Sequence, residues 1–491
     1  MTEFYNKNTA ICIDFFCAEV YNGFDRISAF RRNGEVVLMN KIRAIDPTRG
    51  RIVPSMILYA LPIAMGSLLQ TLFTACDLVV VRMMADSTAV ASVGATSTVT
   101  HLFVTSFVGV ATGVNIILAR MLGAREHDRV RRLIPTALLV ALILGSIVGC
   151  VGFFFGDDIL RFMNCPDECY SGATTYIIVY MLSAPFILLY NFASTIIRVS
   201  GDSVRPTVYL VIAGVVNVVL NFVLCLLLSN KVLAVALATV SSQVIGAALC
   251  IVRLMRMDGA CRFSFKTIVF DFDLCKKVLL YGIPGAISNA TFAISGLQIQ
   301  GTINSYGSSA IAGNTATSSL EGIASCMQTG INSSIAVFVG QNIGAQKPQR
   351  VRQSLLLGLL LDVCAGVLGG GLIFLFKEPL LSLYVGTDVA AKEMGVLRMH
   401  YIAIVNYIFY ARGALTSSLN AFGYSKFSMV QSLLCIVVFR LLWMNFIYPL
   451  HPTPSMVYLS FPISGVLGVL VAGTMLLFVY RRYQRGRLSK I

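Results

Sequence analysis

Charge is what this chain has least of. Asp, Glu, Lys and Arg together make up 12% of its 491 residues, about half the share of an ordinary soluble domain. A soluble fold of this length needs a polar surface that so few charges cannot cover. Lipid is the solvent that fits. Tryptophan (one) and histidine (four) are nearly absent. His101, His127, His400 and His451 have no second ligand at metal spacing, which excludes a zinc centre of familiar pattern and a histidine-based catalytic cluster. No enzyme and no cofactor are expected. Acids are outnumbered, 23 against 38 basic residues, for a net charge of +15.

That excess is not spread as a nucleic-acid face would be. Arg125, Arg129, Arg131 and Arg132 form one group, Arg253, Arg256, Arg262, Lys266, Lys276 and Lys277 a second. Lys347, Arg350 and Arg352 form a third, and the tail from Arg481 to Lys490 a fourth. The alternate loops are poor in bases. Anionic lipid and the positive-inside bias account for such alternation, so both termini are expected in the cytoplasm and no nucleic acid is expected as a partner. Thirteen cysteines are scattered, many inside apolar runs where they pack as small apolar groups. Cys165 and Cys169 share an external loop, either as a pair or as separate thiols.

What the chain has is apolar length. Hydrophobic residues make up 56% and the mean hydropathy is +0.78. Runs long enough to cross a bilayer fall near 54–81, 89–121, 133–155, 170–199, 206–228 and 232–254. A second set falls near 277–304, 310–342, 353–376, 393–421, 427–448 and 456–480. The two sets repeat one another at an offset of about 222 residues. Leu122-Gly123-Ala124-Arg125 through Arg129-Val130-Arg131 returns as Ile343-Gly344-Ala345-Gln346 through Arg350-Val351-Arg352, Leu61-Pro62-Ile63 as Ile283-Pro284-Gly285, and Gly201 as Gly423. A period this long in an apolar chain means two related membrane halves, an arrangement common in secondary transporters. The expected fold is an all-α integral membrane protein of twelve spans in two pseudo-symmetric six-helix lobes. Residues 1–45 form an N-terminal cytoplasmic extension without order, 46–255 the N-lobe, 256–276 a cytoplasmic linker, 277–480 the C-lobe and 481–491 a basic tail.

Ionisable residues at membrane depth are costly and usually face a bundle interior or a wet cavity. Asp77, late in the first span, is flanked by Cys76, Leu78, Val79 and Val80. A carboxyl so placed either exchanges a proton near neutral pH or, with oxygen partners, holds a monovalent cation such as sodium; a helix-end Asp facing water is the plain alternative. Asn217 and Asn221 share one face of the fifth span, and Thr239 adds a hydroxyl from the sixth; Asn residues inside helices also serve simply to join them. Glu321 sits in a small polar stretch, either as a second carboxylate or a cationic-substrate contact, or as the structural partner of an Arg on a neighbouring helix. Asp362 is given no assignment; Arg412 and Arg440 either line the interior of the second half or serve only as helix-end cations. Arg120, Arg198 and Arg398 are expected to reach the interface. Pro62 and Pro284, at matching places, each remove a backbone hydrogen bond and permit a hinge or a static kink.

From about Asp46 onward the chain resembles multidrug and toxic compound extrusion (MATE) transporters, closer to DinF-like than NorM-like members. Six segments carry the resemblance: Asp46-Pro47-Thr48-Arg49-Gly50 with Ala60-Leu61-Pro62, Gln70 and Asp77, Ala91-Ser92-Val93-Gly94, Gly201-Asp202-Ser203-Val204-Arg205-Pro206, Ala238-Thr239, and Val339-Gly340-Gln341-Asn342-Ile343-Gly344-Ala345. It implies two lobes around a central cavity and a plasma-membrane antiporter. Such a protein exports amphipathic, chiefly cationic drugs in exchange for a proton or sodium, and it acts as a monomer. It places the cation site at Asp77, Asn217, Asn221 and Thr239. Asn221 stands where those members carry an acid, which weighs against sodium more than against a proton. The cavity would draw on Gln70, Phe73, Tyr190, Phe292, Glu321, Tyr410 and Arg412. A flippase for lipid-linked saccharides is the alternative cargo reading; it wants a large basic cavity, and the first half is short of mid-span Arg and Lys.

Overall fold

The computed structural model describes residues 45–486 except 85–86 and 163–166, without the side chains of some helical residues, Asp77 and Phe292 among them. The extension predicted for 1–45 therefore lies, but for Ile45, outside the described residues, as does Cys165 of the possible pair. In lipid every backbone N–H and C=O must find its partner within the protein, so the apolar runs fold as helices, and no strand occurs among the described residues.

The first half comprises α1 (Ile52–Met84), α2 (Ser87–Gly123), α3 (His127–Phe162), α4 (Asp167–Met181), α5 (Ala184–Val199), α6 (Val204–Leu227) and α7 (Lys231–Met255). The second comprises α8 (Phe272–Asn304), α9 (Ser308–Gly344), α10 (Pro348–Leu375), α11 (Lys377–Val385), α12 (Val389–Ala421), α13 (Ser425–Leu450) and α14 (Pro454–Gln484). Nine helices among the described residues are long and apolar enough to cross a membrane, or ten if α4 and α5 form one bent span. Twelve were expected. The other two repeat positions belong to α8 and α12, each 33 residues long. α12 carries Arg398, His400 and Arg412 along its length, which lowers its hydropathy. The run 170–199 is not one straight helix: α4 and α5 meet at 45°, where Pro185 lies in the first turn of α5 and has no N–H to continue a ladder.

The repeated motifs mark repeated turns. Arg125 (φ 59°) and Gln346 (φ 54°) follow α2 and α9; Gly201 (φ 104°) and Gly423 (φ 77°) follow α5 and α12. Each is a left-handed helix stop closed by the same two bonds: Glu126 N–H to Met121 O and Arg125 N–H to Leu122 O at the first, Lys347 N–H to Asn342 O and Gln346 N–H to Ile343 O at the second. Gly201 and Gly423 close in the same pattern.

The two halves meet backbone to backbone along α2, α8 and α9. Gly109 and Gly113 of α2 lie against the main chain of Gly282, Gly285 and Ala286 on α8. Nearer the turns the contact is reciprocal: Gly123 lies against the Gln341 carbonyl, and Gly344 against the Arg120 carbonyl. Lipid tails offer no hydrophobic drive between helices, so close contact needs residues without bulk. Side chains then tie the same edge. Arg120 donates from Nε and Nη2 to the Ala421 carbonyl at the end of α12 (3.0 and 2.8 Å). Gln341 donates from Nε2 to the Val199 carbonyl at the end of α5 (2.8 Å). Each half thus caps the other's fourth span. Arg120 turns inward rather than to the interface, because the unsatisfied carbonyls at a helix end offer it acceptors there.

A short strap crosses this edge. The Ile45 N–H donates to Gly201 O (3.0 Å) in the first half, while Asn342 and Lys347 of the second donate to Pro47 O (3.1 Å) and Thr48 O (2.9 Å). Arg350 reaches Pro47, Arg49 and Gly50 carbonyls. The side-chain hydrogen bonds joining the two sets of helices include Asn289–Thr105, midway along α2, and those at this edge.

Gly344→Ala and Gly123→Ala should each destabilise the folded protein by about 1–3 kcal/mol, since the added methyl has nowhere to go. Gly371→Ala, where a Cβ meets nothing, should cost nothing. Thermal unfolding in detergent compares the three; equal melting points would dismiss the contact.

Candidate functional site

The first lobe holds a small buried polar chain in apolar surroundings. Asn217 and Asn221 are one turn apart on α6, 5% and 0% exposed; Thr239 faces them from α7, 8% exposed. Asn217 Nδ2 donates to Thr239 Oγ1 (3.5 Å) and Asn221 Nδ2 to Asn217 Oδ1 (3.4 Å), while Thr239 donates to the Val235 carbonyl (3.0 Å). These separations are long for hydrogen bonds, so the trio is held together loosely, with oxygens able to accept another partner. α1 packs against α6 and α7. Thr207 of α6 donates to the Pro62 carbonyl (2.8 Å), and Phe73 lies on Gly214. One further turn brings α1 to Asp77 and α6 to the level of Asn217. The Asp77 side chain itself lies outside the described residues.

The other residues expected at a cavity are placed as follows. Gln70 is exposed and Phe73 half-buried. Tyr190 is wedged beside Gly246 of α7 and donates to the Pro206 carbonyl (3.2 Å). Tyr410, 3% exposed, donates to the Ala324 carbonyl (2.6 Å). The Phe292 side chain is outside the described residues. Pro62 and Pro284 both lie inside unbroken helices. An open cavity of about 380 Å³ lies at the ends of α1, α2, α4 and α7, lined by Met84, Thr88, Ser92, Glu168 and Lys231 among others. The Lys231 ammonium there is engaged by the Cys225 and Leu228 carbonyls (2.7 and 3.0 Å).

The second lobe is built from different chemistry. Glu321 on α9 takes a two-pronged ion pair from Arg398 on α12, Nε to Oε1 at 3.1 Å and Nη2 to Oε2 at 2.9 Å. Arg398 also donates to the Asn314 side chain, which Tyr458 joins from α14. Of the two readings open for Glu321, the ion pair is the one present. Arg398 is 6% exposed: it does not reach the interface, because a planar carboxylate inside the lobe matches its fork. Arg412, 7% exposed, lies over Phe409 and close to Gly468. Arg440, 4% exposed, bonds two serine hydroxyls. Asp362 on α10 is 0% exposed and lies against the Ala414 backbone of α12.

Sequence reasoning missed the reciprocal caps made by Arg120 and Gln341. The repeat held a signal for them, since both residues stand three before the glycines Gly123 and Gly344.

A family model for MatE matches residues 62–223 and again 284–444, the two repeats found in the sequence, each starting at the paired proline. The chain belongs to the MATE family. It is a multi-pass membrane transporter, not an enzyme. One relative, named "Probable multidrug resistance protein YoeA", from Bacillus subtilis, is 26% identical over 67% of this chain and 73% of its own. Another, a FAD transporter from Shewanella oneidensis, is 24% identical over 86% of this chain and 90% of its own. A solved MOP-superfamily transporter from Pyrococcus furiosus superposes with a TM-score of 0.83 at 18% identity, covering 90% of this chain and 99% of that one. The saccharide-flippase alternative gains no support from these relatives. The matched residues include Asn217 and Asn221 in the first lobe and Glu321, Arg398, Arg412 and Arg440 in the second.

Glu321→Gln should destabilise the protein by about 3 kcal/mol, because it leaves the buried Arg398 charge uncompensated. The pair Glu321→Gln, Arg398→Met should recover most of that loss. Additive losses in this double-mutant cycle would mean the two side chains are not coupled.

Proposed function

We propose that this MATE-family chain exports amphipathic organic compounds, organic cations among them, in exchange for a proton or sodium taken up in the first lobe at Asp77. One observation carries the reading: Asn217, Asn221 and Thr239 converge, buried, on the flank of α6 and α7 against which α1 lays the helix bearing Asp77. The carboxylate supplies the charge. The two amides and the hydroxyl supply neutral oxygens that can coordinate a hard cation or relay a proton. With a single acid in the set, sodium would have one anionic ligand fewer to hold it, whereas a proton needs only the one carboxylate, which favours the proton.

Coupling demands that the ion favour one arrangement of the lobes over another. The ties at the Arg125 and Gln346 turns close one edge of the lobe interface, and the positive-inside bias puts that edge and both termini at the cytoplasm of the plasma membrane. The arrangement is then open to the outside, where cation uptake releases cargo. Neutralising Asp77 removes the charge that holds cationic cargo or lets α1 bend near Pro62. The names of the relatives support the cargo class: one is a multidrug resistance protein, and one a FAD transporter, which extends the class to aromatic dinucleotides.

In proteoliposomes carrying separate proton and sodium gradients, efflux of ethidium should follow one gradient. Asp77→Asn should reduce that efflux at least tenfold while expression and melting temperature stay unchanged. Full efflux by the variant would remove Asp77 from the mechanism.

A further inference from the structure

Arg440 occupies an unusual stretch of α13. It sits in the four-residue α-helical piece Phe439–Leu442, between π-helical turns at Leu433–Val438 and Trp443–Ile447. Widened turns of this kind concentrate at functional sites, because they re-aim side chains without ending the helix. Here they accompany a guanidinium turned into the lobe at 4% exposure. Its Nε donates to Ser464 Oγ (3.2 Å), its Nη1 to Ser295 Oγ (2.9 Å), and it lies 4.2 Å over the Phe461 ring. Every one of these partners is neutral.

The charges around it do not balance. Arg398 and Arg412 are near enough to repel Arg440, and Glu321 near enough to attract it. Glu321 is already committed to Arg398 at 2.9 Å. Arg398 shares the Phe461 ring at 5.8 Å, so two cations lie on one aromatic residue. The neighbouring segments whose side chains are not described, 292–294, 297–298 and 402–407, contain no Asp or Glu. Arginine does not shed its proton to relieve such a cluster, and a membrane interior punishes uncompensated charge. Three guanidiniums against one carboxylate leave room for negative charge to be supplied from outside. The planar fork suits the paired oxygens of a phosphate or carboxylate. Glu321 keeps 22% of its side chain exposed, so the cluster borders accessible space.

We infer that Arg440, with Arg398 and Arg412, forms an anion subsite in the second lobe, which takes the phosphate or carboxylate end of an amphipathic aromatic cargo. This rests on the export function proposed above and deepens it. The second lobe reads the anionic end of a substrate while the first lobe handles the coupling ion.

Flavins test this directly, because FAD and riboflavin share a ring system and differ in the diphosphate and its nucleoside. Binding to the purified full-length protein in nanodiscs would be followed by quenching of flavin fluorescence. FAD should bind at least tenfold more tightly than riboflavin, and inorganic diphosphate should displace it. Arg440→Gln should bring the two flavins within twofold of each other, and Arg440→Lys should retain part of the difference. The wild-type comparison stands even if Arg440→Gln fails to fold. Equal affinities for the two flavins in wild type, or an undiminished preference in a folded Arg440→Gln, would overturn the subsite. Diphosphate binding with no FAD binding would overturn its role in cargo recognition. Ethidium efflux, measured in parallel, separates the two readings: if it is gradient-driven while the flavins do not discriminate, export stands and the subsite falls.

Discussion

The joint between the two lobes depends on helices being allowed to touch without side chains between them. α2 and α9 approach at Gly123 and Gly344, each glycine facing a carbonyl of the other helix. The same approach lets Arg120 and Gln341 reach across to the open ends of α12 and α5. Helix ends carry carbonyls that lipid cannot satisfy, so each half finishes what the other leaves incomplete. A hydrogen bond to a charged donor contributes about 1.5–3 kcal/mol and a neutral one about 1 kcal/mol. A handful of such bonds holds the edge firmly yet stays within the range that ligand binding can reverse.

The two lobes share a backbone plan but not a chemistry. At the repeat offset, Asn217, Asn221 and Thr239 fall opposite Phe439, Trp443 and Phe461. A polar trio in one half is an aromatic trio in the other, where Phe439 and Trp443 lie 5.9 Å apart and Phe461 carries two arginines. The duplicated scaffold keeps its turns and its glycines because they are demands of the main chain. Its interior side chains are free to diverge, and here they have parted into one lobe of neutral oxygens and one of guanidiniums.

The scaffold was therefore legible where the backbone sets the terms. Apolar length reports the helices, and the left-handed stops at Arg125, Gln346, Gly201 and Gly423 recur because a chain leaving a helix has few ways to do so. The bend between α4 and α5 could have been read from Pro185 and was not. Side-chain partners were harder. Arg398 turns inward to Glu321 and Arg120 to a helix end, and both choices depend on helix rotation, which an all-apolar neighbourhood does not encode. The chain Asn217–Asn221–Thr239 was visible only in part: one helix face joins the two amides, but nothing in the spacing brings Thr239 to them. Asp362 drew no assignment from sequence because its burial exists only once α10 has neighbours.

The strap at residues 45–50 gives the two ends of the described chain different mechanical characters. Its backbone is stitched at Ile45 to the first lobe and from Pro47 to Gly50 to the second, so it spans the joint that any rocking of the lobes must strain. A reporter fused ahead of Ile45 would sit at the fulcrum and register tension. One fused after α14 would follow the second lobe alone.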